Sequence, residues 1–156
     1  MASSYTGLGI EKMTTGENAG TWGSKTNTNL QIVEQLAGGY IEQAVTTTTT
    51  LSVSDGSVDA TLAHRIIKFT GTMSANSTVT IPLDVQQMYI LMNGTASSGH
   101  TLTFKYVSGS GSTVAFGATD KGTKIVYATA DDGTDPNMVD TGISTNTLTG
   151  VTGDIT

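Results

Sequence analysis

The chain has 156 residues, 13 acidic against 7 basic for a net charge of −6, no cysteine, and only 13% charged residues, about half the usual share. The missing charge is replaced by Thr, Ser, Asn and 19 Gly, with Thr alone about a fifth of the chain, a composition that favours strands and turns over helices. These figures exclude a disulfide framework, a thiolate nucleophile and Cys-ligated zinc, and they oppose binding to a nucleic-acid backbone or an anionic membrane surface, both of which need clustered positive charge.

Residues 1–27 show no clear periodicity. Glycine recurs at positions 7, 9, 16, 20 and 23, and the single Trp is Trp22. Such a stretch cannot satisfy its own backbone groups in regular structure. It predicts an extended arm that orders against something else, with Trp22 as the docking aromatic. Its first residues have neither the basic nor the apolar region of a signal peptide. The longest apolar run, Met88 to Met92, is far short of the ~18 residues that cross a bilayer, so no membrane insertion is expected.

Thr28-Asn29-Leu30-Gln31 fits a capping box. Leu30, Val33, Leu36 and Ala37 follow at helical spacing, and Gly38-Gly39 supplies a stop. The pattern predicts a helix over 29–37. Tyr40, Ile41 and Ala44 keep its phase, so a continuation to Ala44 would cost two glycines, roughly 1 kcal/mol each. One helix with one narrow stripe needs a partner, either the β region or copies of itself. Trp22, Leu30, Val33, Leu36 and Tyr40 are therefore the candidate docking and oligomerisation residues.

From Val45 the chain reads as strands. The β-branched run Thr46 to Thr50 suits an extended segment, and Ser54-Asp55-Gly56-Ser57 is a turn. Ile67 and Phe69, then Val79 and Ile81, lie in further strands. Met88 to Met92 reads as a strand buried on both faces. Leu102, Phe104 and Tyr106 alternate with Thr101, Thr103 and Lys105, the clearest half-buried strand. Val114 with Phe116, and Ile125 with Tyr127, complete the series, and Phe104, Tyr106 and Tyr127 are expected to point inward. The fold class is mainly β: an antiparallel β-sandwich or jelly-roll-like domain preceded by an extended N-terminal arm and one short α-helix. No alternating helices are available for a parallel sheet. The expected division is 1–45 arm and helix, 46–142 antiparallel β domain, and 143–156 C-terminal extended arm, the Gly- and Thr-rich tail itself beginning at Thr141.

Catalytic chemistry finds no foothold. Asp131-Asp132-Gly133-Thr134-Asp135 misses the ligand offsets of a calcium loop and reads as a hairpin turn. Gly109-Ser110-Gly111 opens a G-x-G pattern with no third glycine and no helix after it. His64 and His100 lack metal-ligand spacing and are expected at the surface. There is no G-x-S-x-G elbow. Asn76-Ser77-Thr78 and Asn93-Gly94-Thr95 match the glycosylation sequon, as short patterns do in a chain this rich in Ser and Thr. The expectation is a non-enzyme with no catalytic residues, cofactor or metal.

One segment carries a more specific likeness. Residues 16–30, Gly-Glu-Asn-Ala-Gly-Thr-Trp-Gly-Ser-Lys-Thr-Asn-Thr-Asn-Leu, resemble a motif of structural proteins of marine tailed bacteriophages. That motif is a G-x-x-x-G-T-W-G stretch, then T-N-T-N-L and an amphipathic helix ending at Gly-Tyr, which Gly38-Gly39-Tyr40 matches. More loosely, the strands and turns from His64 to Asp132-Gly133 are similar to the partner β domain of those proteins, and the likeness spans residues 5–142. It implies a virion protein, often a tail fibre or related appendage, anchored through its N-terminal region and commonly trimeric. The partners it implies are other virion proteins (tail adaptor, tail tube or capsid) and further copies of the chain. A short fibre, an adaptor or a capsid-surface decoration or cement protein fits this length. A carbohydrate-binding module for host glycans is the rival from another class.

Overall fold

The structure, a computed structural model, describes residues 3–96 and 99–145. The expected C-terminal arm falls largely outside them. Among the described residues there are eleven strands in three sheets and one α-helix. The class is mainly β and sandwich-like, as composition and alternation predict.

The N-terminal stretch is not a free arm. β1 (Ser4–Tyr5) and β2 (Glu11–Lys12) pair as an antiparallel hairpin. This hairpin docks on the rest of the chain. Leu8 packs against the core, and the Gly56 N–H donates to the Gly9 carbonyl at 2.9 Å. Gly7 is required by close approach, because a Cβ there would strike the Asp84 carbonyl. The partner expected for this stretch is thus found within the same chain.

The helix α1 runs Trp22–Gly38, seven residues earlier than the capping-box pattern predicts. The turn that starts it is built by left-handed backbone at Asn18 (φ 60°) and Gly20 (φ 82°), conformations that Asn and Gly tolerate best. The Trp22 N–H then donates to the Asn18 carbonyl at 2.9 Å. Thr28 does not cap; it lies inside the helix, and its hydroxyl donates to the Ser24 carbonyl one turn back (3.1 Å). At the other end Gly39 leaves the helix with extended backbone. A Cβ there would sit 2.7 Å from the Gln35 carbonyl oxygen and 2.9 Å from the His64 ring. The helix therefore stops, and Tyr40 to Ala44 are not its continuation but strand β3 (Tyr40–Ala44).

The strands β4 (Thr49–Thr50), β5 (Ile66–Thr70), β6 (Ser77–Ile81), β7 (Gln87–Asn93), β8 (Leu102–Tyr106), β9 (Val114–Phe116), β10 (Thr123–Ala128) and β11 (Met138–Ser144) follow. They form a five-stranded sheet ordered β11-β10-β7-β5-β3 and a four-stranded sheet ordered β4-β6-β8-β9. From β3 to β8 the chain alternates between the two sheets. Each crossing to the opposite sheet and back returns the next strand parallel to its predecessor. So β3, β5 and β7 pair in parallel, as do β4, β6 and β8. A parallel pair needs a long crossover; here a strand of the facing sheet supplies it instead of a helix. Only β9, β10 and β11 add antiparallel pairs to these sheets. The pairing is mixed where local pattern suggests antiparallel.

The core lies between the sheets. Phe104 is fully buried, with ring centroids 6.2 Å from Phe69 and 6.0 Å from Tyr89, the spacing at which aromatic pairs attract. The Tyr89 hydroxyl donates to the Leu62 carbonyl (3.0 Å) and the Tyr106 hydroxyl to the Val85 carbonyl (2.9 Å). Four further expectations are corrected. Tyr127 points outward while Phe104 and Tyr106 point inward. In β7 only Tyr89, Leu91 and Asn93 are buried, and Met88 is exposed. His64 is buried beside the end of α1, its Nδ1 3.0 Å from the Ala60 carbonyl oxygen. Residues 141–144, expected to open the Gly- and Thr-rich tail, belong instead to the edge strand β11 paired with β10.

Candidate functional site

α1 divides the motif residues into two sets. One side holds the helix in place. Ile32 is fully buried and Leu36 half-buried. Asn29 mimics a strand partner: its Oδ1 accepts from the Glu11 N–H and its Nδ2 donates to the Glu11 carbonyl, both at 2.9 Å. Asn18 donates to Glu11 Oε1 at 3.2 Å, and the Lys25 ammonium lies 3.1 Å from Glu11 Oε2. Farther along, Gln35 donates to Asp59 Oδ1 (2.8 Å) and accepts from the Asp59 N–H (3.2 Å). The Arg65 Nε–H caps the Leu36 carbonyl at 2.9 Å.

Glu11 is the hub of this clamp and is only 5% exposed. The Ser3 hydroxyl, then Lys25 and Asn18, hold its carboxyl below the ordinary glutamate range, outweighing the opposite push of desolvation. The same contact with Glu11 raises the Lys25 ammonium above its ordinary value, so both partners stay charged at neutral pH.

The adjoining arc of α1 is open, and all of its side chains but Thr26 are apolar. Trp22, Leu30, Val33 and Ala37 fall within about 80° of arc at 3.6 residues per turn. Trp22 is 64% exposed, Leu30 61% and Val33 47%. Among the described residues these three are exposed large apolar side chains. Of the five candidate residues, the structure brings three together on this face. Leu36 turns to the clamp side, and Tyr40 sits beyond the helix at the start of β3, half-exposed, with its hydroxyl donating to Glu42 (2.7 Å). Sequence pattern missed Glu11, Asn18, Lys25 and Asn29. The signal available for Asn29 was the repeated Thr-Asn pair inside a helical period, a weak helix-forming sequence that tertiary bonds must support; Glu11, Asn18 and Lys25 carry no such signal.

The remaining chemistry-bearing clusters are committed to the fold. Asp132 Oδ1 accepts from the Thr134 and Asp135 N–H groups, and Asp135 Oδ1 from the Ser110 N–H and hydroxyl. The acidic loop is thus a turn stitched to the Gly109–Gly111 turn. A groove of about 770 Å³ beside the end of α1 is lined by Gln31, Glu34, Ala37, Gly38, Val58 and Asp59. It contains no pairing of a nucleophile with a base. Among the described residues no group of three His, Asp or Glu could hold a metal ion, and no helix is long and apolar enough to cross a membrane. In comparisons with known proteins, no family model, curated protein or solved structure matches the chain.

Proposed function

We propose that the chain is a bacteriophage virion structural protein of the tail-fibre type, attached to the particle through its N-terminal region. The observation that carries this reading is the open apolar face of α1, because it lies inside the segment that resembles the phage motif. The polar residues of that segment (Asn18, Lys25, Asn29) hold the helix. Its apolar residues Trp22 and Leu30, with Val33 one turn of helix further on, are exposed and available to a partner. Full burial of such a side chain is favourable by roughly 1.5–3 kcal/mol, which association partly spends on lost freedom.

In this reading Trp22 docks on another virion protein, a tail adaptor, tail tube or capsid component. The Leu30–Val33 stripe clusters with copies of itself about an axis, as a trimer, and the sandwich projects outward. The protein's work is attachment, with no reaction, cofactor or metal. A capsid-surface decoration protein is the neighbouring reading, and copy number separates the two: tens per particle for a fibre, hundreds for decoration. The test is quantitative mass spectrometry of purified particles made with Trp22→Ala chain. That variant is expected to keep a normally melting β domain and to be lost from the particle. Normal incorporation would overturn the docking role.

A further inference from the structure

The outward face of the five-stranded sheet is itself apolar. Side chains alternate along each strand, so the register places one row side by side: Tyr40 of β3, Ile66 of β5, Ile90 of β7 and Ile125 of β10. The next row is Met88, Tyr127 and Val139 on β7, β10 and β11. Ile66, Ile90 and Ile125 are half-buried, while Tyr40, Met88, Tyr127 and Val139 are exposed. The contact of α1 is with the 3₁₀ turn at Thr61–Ala63.

We infer that this face is a self-association surface, which packs on the same face of a second copy of the chain. Two observations select that occupant. The first is area. At roughly 150–250 Å² per large side chain, the exposed fractions leave on the order of 500 Å² of apolar surface. That is at the upper end of what monomers ordinarily expose, and two such faces together reach the ~1,000 Å² at which a specific interface becomes stable. The second is charge. The chain carries −6 overall, so its copies repel. On this face the charged side chains of β3 and β5 are Glu42 and Lys68, which neutralise each other at 2.9 Å. Two copies can therefore meet here without opposing like charges. A two-fold axis through β7 would set the isoleucine row against its own copy, in sheet-on-sheet packing.

This surface is separate from the α1 face, and its test removes that face first. Sedimentation of the full chain is measured with Leu30→Glu and Val33→Glu, at concentrations from about 1 to 100 µM. The expected species has the mass of two copies. Adding Met88→Glu and Val139→Glu, both at exposed positions, is expected to raise the midpoint of dissociation at least about 100-fold, with melting behaviour retained. In the otherwise unaltered, cysteine-free chain, Met88→Cys is expected to cross-link between copies with a short bis-maleimide. A single-copy mass for the Leu30→Glu, Val33→Glu chain, or a dimer that survives Met88→Glu and Val139→Glu, would overturn the inference. So would a single-copy chain retained on a glycan array through Tyr127, which would make the face a sugar platform. A monomer whose face takes up an apolar dye only after residues 146–156 are deleted would assign the cover to the chain's own tail, and would also overturn it.

Discussion

Asn29→Ala tests whether the start of α1 clamps the β1–β2 hairpin. The substitution removes both bonds to the backbone of Glu11, each 2.9 Å long; Glu11 is only 5% exposed. A neutral hydrogen bond is worth about 0.5–1.5 kcal/mol net, and a buried group left unpaired costs about 1–3 kcal/mol. Two bonds and partial access of water to the opened site give a loss of about 2–4 kcal/mol. If the β1–β2 hairpin and α1 unfold with the sandwich, Tm falls by about 5–12 °C for a chain of this size. If they open by themselves, Tm hardly moves, and amide protection across residues 3–12 falls by about 100-fold. Differential scanning calorimetry and native-state hydrogen exchange on one sample separate the two cases, and trypsin cleavage after Lys12 reports the same opening. Asn29→Asp keeps the acceptor and sets a carboxylate against the Glu11 carbonyl, so it should be no milder. An Asn29→Ala chain with unchanged Tm, unchanged protection at residues 3–12 and unchanged cleavage at Lys12 would refute the clamp.

Tyr89→Phe removes the hydroxyl that satisfies the buried Leu62 carbonyl and should cost about 1–3 kcal/mol in urea unfolding, with no change in fold by circular dichroism. Gly111→Ala drives a Cβ into the Pro136 carbonyl, whereas Gly117→Ala meets nothing within 4 Å; the first should destabilise by about 2 kcal/mol or more and the second by no more than a few tenths of that, as read from paired thermal melts. Stability should also fall in acid. The Glu11 carboxyl is held below the ordinary glutamate value of 4.5, so its contribution is complete above that value and is lost as pH falls through the folded-state pKa. Glu42 shifts in the same direction through Tyr40 and Lys68. Unfolding measured from about pH 6 to pH 3 should show this loss, and Glu11→Gln should be less stable at neutral pH with a flatter acid limb.

Much of the fold was legible in the sequence because its signals are local. Alternation in Leu102–Tyr106 and around Val79 needs only the two-residue repeat of a strand. The turns at Gly109–Gly111 and Asp131–Gly133 need only residues that tolerate bent backbone. The helix was legible from Leu30 onward, but not its start, since the Thr- and Asn-rich stretch before Leu30 has weak helical propensity and is tied to Glu11 through Lys25 and Asn29. The site was legible in part. Trp22, Leu30 and Val33 stood out as large apolar residues without an evident partner. Tyr40 and Leu36 were grouped with them by helical phase, and a phase means nothing once the helix ends at Gly39.

The sequence by itself determined that the chain is mainly β, where most strands and turns lie, and that one helix carries an apolar stripe. Those properties follow from the side-chain period and the backbone preferences of neighbouring residues. The tertiary structure decided the rest. It made the strands from β3 to β8 pair in parallel by alternating between sheets, turned Tyr127 outward, and set Ile32 rather than Leu30 against the chain. Period and phase tell which residues share a face. Which face meets the core is set by contacts between residues far apart in the chain, and no local pattern contains them.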